Sequence, residues 1–90
     1  MTDPWTLISR AAAREAGHAT AAILRYRAEL TDLAPLEAQG GETFAGAAYR
    51  AAAAVAELRR TVWRDIARNP ATALLPPVAI ALARAAWSRR

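Results

Sequence analysis

The chain contains no cysteine, no lysine, one histidine, one phenylalanine and four glycines. Without thiols there is no disulfide framework and no thiolate metal site, which fits a reducing compartment. Long aliphatic side chains are also scarce. More than half of the 54% apolar composition is alanine, which offers little area to bury at ~25 cal/mol per Å². Ninety residues form one small domain at most, too short for a deep core of its own. Such a chain is expected to gain stability by packing on another copy, another subunit or lipid. No secretory signal is expected at the start, because Met1–Trp5 has no basic segment and no apolar core follows it.

Catalytic signatures are missing as well. No phosphate-binding loop, dinucleotide fingerprint or nucleophile elbow occurs. His18 falls on the polar side of the first helical stretch and reads as a surface residue. Ser9 and Ser88 have no histidine nearby in sequence, and Glu15, Glu29 and Asp32 are scattered among arginines. No enzyme activity, cofactor or metal is expected.

What is present is helical periodicity. Asp3-Pro4 is a helix start, with the aspartate as N-cap and the proline at the first helical position. From there Trp5, Ile8, Ala12, Ala16, Ala19, Ile23, Tyr26, Leu30 and Leu33 step by threes and fours along one stripe. The residue before a proline disfavours helix, so this helix is expected over about 4–34, ending before Pro35. The stretch 35–41 reads as a loop hinged at Gly40-Gly41.

The second helix is expected over about 42–68. Phe44, Ala48, Ala51, Val55, Leu58, Val62 and Ile66 form one stripe on it. Their spacing lies between a heptad and an ideal helix, so coiled-coil-like contact with the first helix is expected there. A second column (Ala45, Tyr49, Ala52, Ala56, Trp63, Ala67) lies alongside. Its members Tyr49, Ala52, Ala56 and Trp63 are the candidate interface for a partner, with Trp63 as anchor. The predicted fold is all-α: an antiparallel helical hairpin followed by a short, proline-broken C-terminal helix. The remaining aromatics Trp5, Tyr26 and Phe44 fall on apolar stripes, where they read as core or interface and not as stacking platforms for bases.

Charge is uneven. Residues 1–56 carry five arginines against six acids, and residues 57–90 carry seven against two. Arg60, Arg64 and Arg68 recur at i, i+4, with Arg59 beside them, and they share a helical face. That row reads either as a solvated face countered by Glu57 and Asp65, or as a contact for phosphate on nucleic acid or lipid headgroups.

Residues 70–90 differ from the rest. Leu74, Leu75, Val78, Ile80, Leu82 and Trp87 point all round a helical wheel, and the run from Ala71 to Ala83 has no charge. A helix apolar on every side is buried in protein or in membrane. Asn69-Pro70, then eighteen residues without an acid, then Arg89-Arg90, all preceded by an arginine-studded amphipathic helix, resembles the tail of the ElaB/YqjD family. The resemblance covers the last third of the chain, which has Pro76-Pro77 and Arg84 in place of that family's glycine-rich span. It implies a small bacterial protein with a helical cytoplasmic part and a C-terminal inner-membrane anchor, in some members associated with ribosomes. The residues themselves leave three partners open: another copy or a larger protein assembly, a membrane through residues 70–90, and nucleic acid.

Overall fold

The first helix starts at Pro4 with Asp3 at the N-cap position, as expected, but the Asp3 carboxylate makes no hydrogen bond to a first-turn amide. In the computed structural model, which describes residues 3–74 together with Pro76 and Arg84, α1 spans Pro4–Gly40. The Asp3 carbonyl accepts from the Leu7 amide at 3.1 Å, closing the first turn. Helix α2 spans Phe44–Arg68 and stops at Asn69, whose amide donates to the Asp65 carbonyl at 2.9 Å. Pro70–Leu74 then forms a 3₁₀ turn that packs on both helices at the open end of the hairpin. Among the described residues the fold is all-α, a helical hairpin with no strand. At ~1.5 Å per residue α1 alone is roughly 55 Å long, close to the 58 Å long axis of the molecule.

The first correction is at Pro35. The helix does not end there; it continues to Gly40, and the connection shrinks from the expected 35–41 to residues 41–43. Proline inside a helix leaves the carbonyl four residues back, that of Thr31, without its usual donor. The cost is tolerated because the extra turn carries Glu37 to the start of α2. There Glu37 Oε2 accepts from the Thr43 amide at 2.8 Å and from the Thr43 hydroxyl at 3.1 Å. The Thr43 hydroxyl in turn accepts from the Gly46 amide at 2.9 Å. In a capping box the glutamate would sit on α2 itself, three residues after the threonine. Here that position is Gly46, and α1 supplies the carboxylate instead. Gly41 closes the reversal with φ +82° and ψ −171°, a conformation open essentially to glycine.

The core is thin and made mostly of small residues. Ala12, Ala16, Ala19 and Ile23 of α1 are buried against Gly46, Ala56 and Ile66 of α2. Ile23 and Ile66, each 1% exposed, are the largest fully enclosed side chains. The α1 stripe read from sequence is therefore the packed one through its middle. Its ends loosen, with Trp5 and Ile8 exposed and Tyr26, Leu30 and Leu33 half-buried. Polar ties between the helices include the Ser9 hydroxyl donating to the Ala67 carbonyl and Arg27 pairing with Glu57 at 3.0 Å.

The second correction concerns which face of α2 meets α1. The expected stripe is turned outward along most of its length: Phe44 is 92% exposed, Leu58 69% and Val55 47%, with Ala48 and Ala51 exposed between them. Only at its far end does the stripe enter the core, at the enclosed Ile66; Val62 before it is half-buried. The seam runs instead through Gly46, Tyr49, Ala52, Ala53, Ala56, Trp63 and Ala67, all buried or half-buried. The reason lies at the hinge. Gly46 and Arg50 must face Glu37, and Phe44, two residues before Gly46, then points about 200° away from it.

Candidate interaction surface

The four residues expected to meet a partner are occupied within the chain. Tyr49 lies beside Tyr26 of α1, ring centroids 6.2 Å apart and tilted by 38°. Ala56 is buried, and Ala52 and Trp63 are half-buried. Ala52, Ala56 and Trp63 line one side of a shallow interhelical groove of about 220 Å³, opposite His18, Ala22 and Tyr26. A column of small residues with two aromatics suits α1, itself alanine-faced, because it lets the helices approach closely while the aromatics fill the flanks. The column that looked available for a partner is thus the intrachain seam.

Arg60, Arg64 and Arg68 keep their i, i+4 spacing along α2, with Arg59 beside them. Arg59 borders the groove that holds Glu15, His18 and Trp63. Arg64 and Arg68 border a different groove with Ala13, Gly17 and Thr20. Arg68 reaches a third, at the open end, shared with Trp5, Ser9, Arg10 and Pro70. Arg60 is half-buried beside the seam. The helix ends nonetheless differ in charge. Arg10, Arg14, Arg60, Arg64 and Arg68 outnumber Asp3, Glu15 and Asp65 at the open end, while Glu29, Asp32, Glu37 and Glu42 outnumber Arg25, Arg27 and Arg50 toward the hinge.

The hinge carboxylate is the most perturbed group. Arg50 Nη1 and Nη2 donate to Glu37 Oε1 and Oε2 at 3.1 and 2.8 Å, a two-pronged pair. That guanidinium, followed by the Thr43 amide and hydroxyl, lowers the Glu37 pKa to about 2 against the opposing effect of partial burial. The same bond raises Arg50 above its ordinary value. Glu42 adds a looser contact to Arg50 at 3.7 Å. These are capping and orienting interactions at a helix start, and they offer no exposed acid or base to a substrate.

The tail candidates are divided. Leu74 ends the 3₁₀ turn and is exposed. Leu75, Val78, Ile80, Leu82 and Trp87 lie outside the described residues, as does most of the segment that carries the ElaB/YqjD resemblance. Among the described residues no helix is long and apolar enough to cross a membrane. No group of three or more His, Asp or Glu among them is placed to hold a metal ion.

The surface that sequence reasoning misplaced is the outward stripe of α2: Phe44, Ala48, Ala51, Val55 and Leu58. Its periodicity was legible; that it faces away from α1 was not. No charge lies on its axis from Phe44 to Leu58, and alanines border it at positions 45, 47, 52 and 54. No protein-family model, characterised protein or solved structure matches this chain significantly.

Proposed function

We propose that this protein is a non-enzymatic helical subunit that docks onto a partner through the outward stripe of α2. One observation carries the reading. A phenylalanine, a valine and a leucine stand in one line on the solvent side of a helix whose other apolar column is already packed. Together with Ala48 and Ala51 they expose on the order of 500 Å² of apolar surface, the size of patch that marks interaction sites on small proteins. Among the described residues, Ser9 bonds a backbone carbonyl, Glu37 holds a helix cap and Arg27 pairs with Glu57.

The test is the sedimentation of a fluorescently tagged chain in cell lysate, beside a Val55→Glu/Leu58→Glu variant. The native chain is expected to sediment well above its 9.6 kDa mass, and the variant, equally helical by circular dichroism, near it. A native chain that sediments at the mass of the tagged monomer in lysate even at ~100 μM, where a micromolar association is populated, sinks the reading.

A further inference from the structure

We infer that the occupant of this stripe is a second copy of the same chain, the two α2 helices lying antiparallel about a two-fold axis. The inference rests on the docking reading and names its partner.

Three observations support it. The first is the order of sizes along the stripe: Phe44, Ala48, Ala51, Val55, Leu58, then Val62. Set two such helices antiparallel with the axis beside position 53. Phe44 of one copy then faces Val62 of the other, Ala48 faces Leu58, and Ala51 faces Val55. The two-fold repeats each pair, as an isologous interface requires. Both alanine layers therefore receive a large neighbour, the alternation that lets facing helices interdigitate. A parallel arrangement would set Ala48 on Ala48 and Ala51 on Ala51, leaving voids, and would crowd Phe44 on Phe44.

The second is charge. The antiparallel arrangement brings the hinge of one copy, where Glu29, Asp32, Glu37 and Glu42 outnumber Arg25, Arg27 and Arg50, beside the open end of the other, where Arg10, Arg14, Arg60, Arg64 and Arg68 outnumber Asp3, Glu15 and Asp65. Opposite potentials meet, which selects orientation and speeds encounter. A parallel pair would set basic end on basic end.

The third is area. About 500 Å² from each copy amounts to ~1,000 Å² for the pair, at the small end of specific interfaces. The expected association is in the micromolar range, tight enough to populate the pair in concentrated solution and loose enough to dissociate on dilution.

The experiment uses the full, purified chain, whose lack of cysteine makes introduced thiols unique. By sedimentation the parent should pass from monomer to dimer between about 1 and 100 μM. Leu58→Glu should remain monomeric throughout with unchanged helix content. Mixed under mild oxidation, Ala48→Cys and Leu58→Cys variants should form the mixed disulfide in large excess over the Ala48→Cys self-disulfide. Positions 48 in an antiparallel pair stand ~15 Å apart along the axis, well beyond the 4.4–6.8 Å between Cα atoms that a disulfide allows.

Predominant Ala48→Cys self-linking overturns the antiparallel assignment. A dimer indifferent to Leu58→Glu places the contact on another face and overturns it too. A purified parent that stays monomeric, while the lysate form is large and sensitive to Val55→Glu/Leu58→Glu, overturns self-pairing and leaves the docking reading standing with a different partner. A monomer whose Leu58→Cys thiol resists maleimide shows the stripe covered by its own chain, and removes both.

Discussion

Glu37 and Arg50 are thirteen residues apart in sequence and joined by two parallel hydrogen bonds across the hinge. Their pairing places the Arg50 side of α2 toward the end of α1. With Arg50 and Gly46 held toward α1, the seam passes through Tyr49, Ala56 and Trp63, and Phe44 is turned to solvent. The pair accompanies a rotation in which the Tyr49–Ala56–Trp63 column is core and Phe44 is surface.

The stability of the hairpin should therefore respond to acid through Glu37. Its pKa in the folded chain is lowered to about 2 from an ordinary value of 4.5. A group whose pKa is depressed by folding stabilises above its unfolded pKa and stops doing so as it protonates. The melting temperature should fall as pH drops from about 4.5 toward 2. Glu37→Gln should melt lower than the parent at pH 7 and show much less of this acid-dependent fall. Melting curves for the two proteins across that range check it; parallel curves would remove Glu37 as the cause.

Two glycines should answer alanine in opposite directions. A Cβ on Gly17 would meet nothing within 4 Å, so Gly17→Ala should stabilise by about 0.5–1 kcal/mol through helix propensity. A Cβ on Gly46 would run into the Glu37 carboxyl, with its Cδ only 2.8 Å away, and into Thr43 Oγ1 at 2.9 Å. Gly46→Ala should instead destabilise by about 1–2 kcal/mol as the cap is pushed apart. Urea titration of both variants reads the signs directly.

Core and surface should separate just as clearly. Ile66→Ala should cost about 2–5 kcal/mol, because the side chain is enclosed and leaves a cavity. Leu58→Ala, at a site that the periodicity alone assigned to the core, should cost under about 0.5 kcal/mol in dilute solution. Trp63→Ala should lower stability even in the monomer, since its ring flanks the intrachain seam. Chemical denaturation at submicromolar protein gives all three; a large cost for Leu58→Ala there would contradict the outward stripe.

Pro35 offers a test of the extended first helix. Because α1 continues through it to Gly40, Pro35→Ala should restore the donor to the Thr31 carbonyl. The expected gain is about 1–3 kcal/mol with the hinge unchanged. A loss of stability would mean that the proline's bend is needed to bring Glu37 onto Thr43.

Much of the architecture is local and was readable from the residues. Asp3-Pro4 starts a helix, Ala12, Ala16, Ala19 and Ile23 recur on one face, and Asn69-Pro70 ends the second helix. Each follows from propensity, capping and period, which depend on neighbours a few residues away. Two decisions are not local. Continuing α1 past Pro35 costs a helical hydrogen bond, a cost set against the added turn, which ends on the Gly41 amide to the Glu37 carbonyl, and the cap Glu37 makes on α2. Choosing the Tyr49–Ala56–Trp63 column over the Phe44–Leu58 stripe depends on the Glu37–Arg50 pair and on the close approach that Gly46 allows. The sequence determined that α2 has two apolar columns. Which of them α1 covers depends on groups far apart along the chain, Glu37 on one side of the hinge and Gly46 and Arg50 on the other.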